Sequence, residues 1–392
     1  MNHCIYSTIT IDLQEEMKEI CTTELSSDPS KSIDTIDISA DHVCVAEKNL
    51  NDILTHVFKH AAPHKTVVVF DTGCELASAL TQAYMRCLPD AQFIDFGKYT
   101  PDAVLDVFAG LVALDLVVLI QSTNFRLEAF RIRVELFKRA LKVIEHPHLS
   151  RMMGAEVRYY IDALAYDPVY FRGAGSSLKA IIDQAQCGCL DSGGDQFPDA
   201  RLVFGSSFGL AFESAKLNVG DYSGMQNVGG QFPIGEVFTE ARNLESVHGR
   251  VRIFAFGDTQ FRVNRPASPI TLIVEKGQVI ATEDSTPEFD AVLANIRADE
   301  QVVWLREIGF GLNRAFTKDR SVSDIGSFER MCGVHLSLGA KHGIYGKPNF
   351  KRGDGKYHID VFAVTEQVSL DEQVIYLDGA WKVGATPNLV AE

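Results

Sequence analysis

The sequence predicts an α/β protein: an N-terminal parallel α/β domain followed by a β-rich α+β domain. Two observations carry this. Between about residues 65 and 146, short β-branched runs alternate with helical stretches, as in a parallel sheet with crossover helices. From about Ala200 the apolar runs shorten, and Gly220, Gly224, Gly229, Gly230 and Gly235 fall within 16 residues. A chain of 392 residues is long for one core, so two domains are expected, residues 1–190 and 191–392.

Taken in order, residues 1–64 make an acidic leading segment, with eleven Asp/Glu against four Lys, and Ser26 to Asp41 reads as a solvated loop. His56 and His60 have i, i+4 spacing in the helical stretch Leu50–Lys59, where a solvated face fits better than a metal pair. Lys65–Asp71 is a buried strand, and Asp71-Thr-Gly-Cys74 turns it into a helix from Cys74 to Leu88. That turn lacks the glycine pattern of dinucleotide and P-loop sites and reads as structural. Strands follow at Ala91–Gly97, Leu114–Ser122 and Val143–His146, with helices at Pro101–Leu111 and Phe125–Leu141. In the second half, strand-like runs recur at Arg250–Phe256, Ile270–Glu275, Gln301–Ile308, Met331–Leu338 and Tyr357–Val364.

Composition excludes several function classes. The 37 Lys and Arg against 52 Asp and Glu give a net charge of −15, which repels nucleic-acid phosphates. The longest apolar run, Leu111–Ile120, is broken by Asp115 and falls short of the ~20 residues a bilayer requires. The N-terminus has neither the basic start nor the apolar stretch of a secretory signal. Of eight cysteines only Cys187 and Cys189 lie close together, and they read as free thiols. These features predict a reduced, cytoplasmic, soluble protein with no nucleic acid or membrane partner.

The residues with chemistry to offer gather near the C-terminus. In a strand, i and i+2 share a face, so His358 and Asp360 point together, as do His335 and Ser337 in Gly333-Val-His-Leu-Ser-Leu-Gly339. Imidazole and carboxylate converging from two strands suit a divalent transition metal. Glu236 and Glu307 stand in apolar strand-to-loop contexts, where a carboxylate needs a cation or hydrogen bonds. By spacing alone, individually satisfied polar groups remain the competing reading.

Four segments, Pro233-Ile-Gly-Glu-Val-Phe-Thr239, Arg306-Glu-Ile-Gly-Phe-Gly-Leu-Asn313, Gly333–Gly339 and His358-Ile-Asp360, follow one another across about residues 200 to 364. In kind and order they resemble the thermophilic metallo-aminopeptidase family, the aminopeptidase T, aminopeptidase S and PepS type. The resemblance implies a homodimer whose enclosed sites admit only small substrates such as short peptides. It also implies two divalent ions (Zn, Co or Mn) held by Glu236, Glu307, His335, His358 and Asp360. A metal-activated water would then release an N-terminal residue, with Glu307 or Glu236 bridging the ions. The family places a catalytic tyrosine shortly after the ligand matched by His335. Here His342 stands seven residues on and Tyr345 three later, so either takes that role. The segment Lys341–Lys356 carries Lys341, Lys347, Lys351, Arg352 and Lys356 against Asp354 alone, and Lys351 and Arg352 are expected to draw in an anionic substrate.

A second reading comes from relatives similar to 2,5-dihydroxypyridine dioxygenase. These hold one Fe(II) through two histidines and an aspartate, a set that His358, Asp360 and either His335 or His342 would supply. Retention of both Glu236 and Glu307 favours the dinuclear hydrolase, because a mononuclear iron site has no use for five ligands.

Overall fold

A computed structural model describes residues 39–123, 125, 132–205, 212–220, 229–342, 344–347 and 355–384. The chain divides into two compact units. One comprises the described residues up to Glu47, His60–Ser150 and Met225–Gly230, and the other Lys48–Lys59, Arg151–Gly224 and Gln231–Glu392.

The first unit alternates as its sequence predicts. Helix α1 (Ala40–Asp52) is followed by β1 (Thr66–Phe70), α2 (Glu75–Cys87), β2 (Gln92–Asp95), α3 (Pro101–Ala109), β3 (Leu116–Ile120), α4 (Ile132–Lys138) and β4 (Lys142–His146). The four strands are parallel, in the order β2-β1-β3-β4. Every residue of β1 and β3 is buried, as expected of strands covered on both faces. Val67, Val69, Val117, Leu119 and Val143 pack with Val104 and Phe108 of α3 and Leu136 of α4. The Asp71 turn is structural: its carboxylate accepts from Gly73 N at 3.0 Å and Ser122 N at 2.9 Å, tying the ends of β1 and β3.

Two histidine features of this part of the chain are also structural. The helix of α1 passes into a π turn that ends at Val57, so His60 lies beyond it, with Nε2 2.7 Å from Thr66 Oγ1. His56 is exposed, and no helical metal pair forms. His146 is fully buried, with Nε2 2.9 Å from Tyr84 Oη.

The second unit opens with helices α5 (Ala155–Ala163) and α6 (Pro168–Gln184) and continues through β5 (Gly188–Asp191), β6 (Arg201–Phe204) and β7 (Lys216–Asn218). Gly229 and Gly230 of strand β8 (Gly229–Gln231) belong to the first unit, whose parallel sheet β8 extends beside β4. Then come β9 (Glu236–Thr239), β10 (His248–Gly257), β11 (Val263–Asn264), β12 (Ile270–Glu275) and β13 (Gln278–Glu283). Helix α7 (Pro287–Glu300), β14 (Leu305–Gly311), α8 (Ile325–Phe328), β15 (Gly333–Leu338), β16 (Ile359–Ala363), β17 (Gln367–Leu370), β18 (Gln373–Leu377) and β19 (Ala380–Trp381) complete it. Fourteen strands form one antiparallel sheet, ordered β19-β18-β17-β5-β6-β10-β16-β15-β14-β9-β7, with β11, β12 and β13 branching from β10.

Helices α5, α6 and α7 depart from the sequence patterns above. Two of them have readable starts: the Asp167 carboxylate accepts from Val169 N and Tyr170 N ahead of Pro168, and Thr286 Oγ1 accepts from Phe289 N ahead of Pro287. Because α7 runs to Glu300, the strand expected at Gln301–Ile308 begins later, at Leu305. Among the described residues no helix is long and apolar enough to cross a membrane.

Candidate metal centre

Four neighbouring strands, β16-β15-β14-β9, carry the centre, and their register explains how distant residues meet. Glu307 pairs with Ser337, and Ser337 pairs in turn with Asp360, making one row across β14, β15 and β16. One step along, Gly309 pairs with His335, and Gly311 pairs with Glu236. Glu307, Gly309 and Gly311 share a face of β14, so beyond the glutamate that face is bare. A Cβ at 309 would collide with the His335 imidazole, which lies across the glycine toward Glu236. Gly235, at φ +118°, turns the chain into β9 immediately before Glu236. A register shift around Arg306 separates its role from that of Glu307.

His335 Nε2 lies 3.2 Å from Glu236 Oε1 and 3.4 Å from Glu307 Oε1. His342 Nε2 lies 2.9 Å from Glu307 Oε2, with its ring 3% exposed. His358 Nε2 is 3.3 Å from Asp360 Oδ1, and Ser337 Oγ donates to that same carboxylate oxygen. Donor atoms of Glu236, Glu307 and His335 lie within 4.8 Å of one another, as do those of Glu307, His358 and Asp360. Glu307 belongs to both groups, and each group holds a single histidine.

The electrostatics follow from burial with surplus negative charge. Burial alone would raise the Glu307 carboxyl, but its contacts with His335 and His342 hold it well below the usual carboxylate range. Burial disfavours a charged His335, yet Glu236 and Glu307 hold it well above an ordinary histidine. Burial opposes a charged His358 as well, and the adjacent Asp360 outweighs it, raising the ring to about 10. Imidazolium protons thus do the work that a cation would do. His335 Nδ1 is buried without a hydrogen-bond partner. A donor set of buried carboxylates and imidazoles fits a divalent ion.

Two residues absent from the sequence reading complete the cluster. Arg330 Nη1 lies 3.1 Å from Glu236 Oε2, and the same guanidinium contacts Glu329. Burial lifts the Glu329 carboxyl to about 8 against the pull of Arg330. The signal was present in Glu329-Arg330 beside the apolar start of β15, because an arginine buried there requires carboxylates.

The candidates for the family's tyrosine separate in space. His342 faces Glu307, whereas the Tyr345 hydroxyl points to the carbonyls of Ser214 (3.0 Å) and Phe238 (3.3 Å). The His342 Nδ1 accepts from the backbone N–H of Ile344 and Tyr345, which assigns the neutral ring's proton to Nε2. The basic segment also divides. Lys347 turns inward to Glu213 and Glu240 at 3.0 and 3.2 Å, and Lys356 pairs with Asp299 at 2.7 Å. These two lysines are therefore spent on structural pairs. Lys351 and Arg352 lie outside the described residues.

No family model and no curated protein matches this chain. Among solved structures, wild-type AmpT from Thermus thermophilus is similar, with a TM-score of 0.51 at 12% identity, over 87% of this chain and 99% of that one. The likeness is one of fold. It spans the parallel α/β and antiparallel parts alike, and the mixed α/β class predicted from sequence stands.

Proposed function

We propose that this chain is a metal-dependent hydrolase that removes N-terminal residues from short peptides or cleaves a related small amide. The observation that carries the reading is Glu307, shared by two groups of donors, all buried except the half-buried His358, as a bridging carboxylate would be. The fold held in common with AmpT, an aminopeptidase, supports the reaction class. Divalent ions in such a centre lower the pKa of a bound water and polarise the scissile carbonyl.

The chain's own residues then have separable tasks. Glu236, Glu307 and His335 would hold one ion, and Glu307, His358 and Asp360 the other, with Zn, Co and Mn all suited to nitrogen and oxygen donors. Arg330 holds Glu236 by Oε2 and leaves Oε1 toward His335. Ser337 fixes the Asp360 carboxylate, and His342 Nε2 stands 2.9 Å from Glu307 Oε2 with no aligned hydrogen bond of its own among the described residues, which leaves it free to act as a donor in the site. The mononuclear iron reading loses support, because neither donor group contains two histidines.

The test is cleavage of a panel of unblocked and N-acetylated peptides after chelator treatment and after return of Zn, Co or Mn. Release of N-terminal residues that needs both metal and a free amine is expected. Cleavage indifferent to metal, or none on any unblocked peptide, sinks the proposal.

A further inference from the structure

The two donor groups are not equivalent in charge. Glu236, in one group, carries the Arg330 guanidinium 3.1 Å from Oε2, on a side chain 8% exposed. Among the described residues, neither Glu307 nor Asp360 forms an ion pair with any lysine or arginine; their ion-pair partners are imidazoles, and the Ser337 hydroxyl also donates to Asp360. A guanidinium keeps its positive charge throughout the working pH range. Its field in a buried, little-screened site opposes a second positive charge beside Glu236. The group of Glu307, His358 and Asp360 has, among the described residues, no guanidinium or ammonium at ion-pair distance from its carboxylates.

From this asymmetry we infer that the two half-sites load unequally. Glu307, His358 and Asp360 take a divalent ion tightly, and Arg330 keeps the Glu236, Glu307 and His335 half weak, so its ion is readily exchanged. Glu236 Oε1 stays directed at His335, which leaves that half usable rather than closed. Arg330 is then a positioning residue that sets metal affinity. The inference rests on the metal-dependent reading above and deepens it.

Calorimetric titration of the full chain, stripped by chelator and then supplied with Zn²⁺ or Mn²⁺, provides the test. Two binding phases separated by at least about tenfold in Kd are expected, the scale of a like-charge opposition of this kind. Glu236→Gln should remove only the weaker phase and Asp360→Asn the tighter one. Arg330→Met should bring the phases to within about threefold, while Arg330→Lys, which keeps the charge, should preserve the gap. Two equal sites in the unaltered protein, or an undiminished gap in folded Arg330→Met, overturns the inference and leaves the metal reading standing. Should Arg330→Met fail to fold by circular dichroism, loss of the tighter phase in Glu236→Gln overturns it instead. No binding of either ion by the unaltered chain overturns the metal reading itself, and this inference with it.

Discussion

Arg306 and Glu307 are consecutive in β14, and they enter two buried charge clusters of different character. Around Arg306 the charges balance: it contacts Glu240 and the carbonyls of Ala340 and Tyr345, while Lys347 joins Glu240 to Glu213. Two permanent cations meet two carboxylates there. Around Glu307 three carboxylates, Glu236, Glu307 and Asp360, face Arg330 alone, with the Glu329 carboxyl beside them raised to about 8, and histidines carry the remainder. A cluster closed by its own cations is a structural joint, whose removal leaves a stranded charge. One that must borrow protons from histidines is built for a partner from outside.

The largest expected effect separates the clusters by function. Glu307→Gln should cut metal-dependent turnover at least ~100-fold, since even outer partners of metal ligands cost up to that much. Its metal-free form should lose only modest stability in urea, because the imidazoles that hold the Glu307 carboxyl low lose one partner while no permanent cation is stranded. Next, Arg306→Met should cost about 3 kcal/mol in urea unfolding, with Glu240 left to Lys347 alone, and should still bind metal. If the two variants lose stability equally, the distinction between the clusters fails.

Third, saturating metal at ~100 times Kd should add about 2.7 kcal/mol of stability, an increment expected to vanish in Glu307→Gln. An unchanged melting temperature with Zn, Co and Mn alike would count against the excess of carboxylates being a metal centre.

Fourth, the histidines of the parallel unit should behave oppositely to those of the centre. Burial holds His146 down at about 3, and burial with nearby Lys142 holds His60 at about 4. Both rings are neutral when folded and protonate near 6.5 when unfolded. Their contribution is therefore complete above about pH 6.5 and is lost as pH falls toward 4 and 3, by up to about 1.4 kcal/mol per pH unit for each ring. Urea midpoints between pH 4 and 7 measure it, and His146→Gln should flatten the slope.

The smallest effect belongs to Tyr345. Tyr345→Phe removes a hydroxyl bound to backbone carbonyls, so ~1 kcal/mol of stability and little turnover should be lost. A turnover loss rivalling that of Glu307→Gln would return Tyr345 to the site in place of His342.

Much of the parallel sheet was legible because its central strands β1 and β3 are continuous apolar runs buried at every position, a signal that is local in sequence. The pairing of His358 with Asp360, and the shared face of His335 and Ser337, were legible through the two-residue period of a strand. That period says which residues share a face and nothing about which strands adjoin. Only the register β16-β15-β14-β9 brings Glu236 within reach of His335 and makes Glu307 common to both donor groups. Only three-dimensional packing sends Lys347 inward to Glu240, seats Arg330 beside Glu236, and chooses His342 over Tyr345 to face Glu307. The residue types and their faces were set along the chain by local geometry. Their assembly into a centre depended on contacts spanning about 20 to 100 residues, whose closure is governed by strand pairing and not by any short pattern.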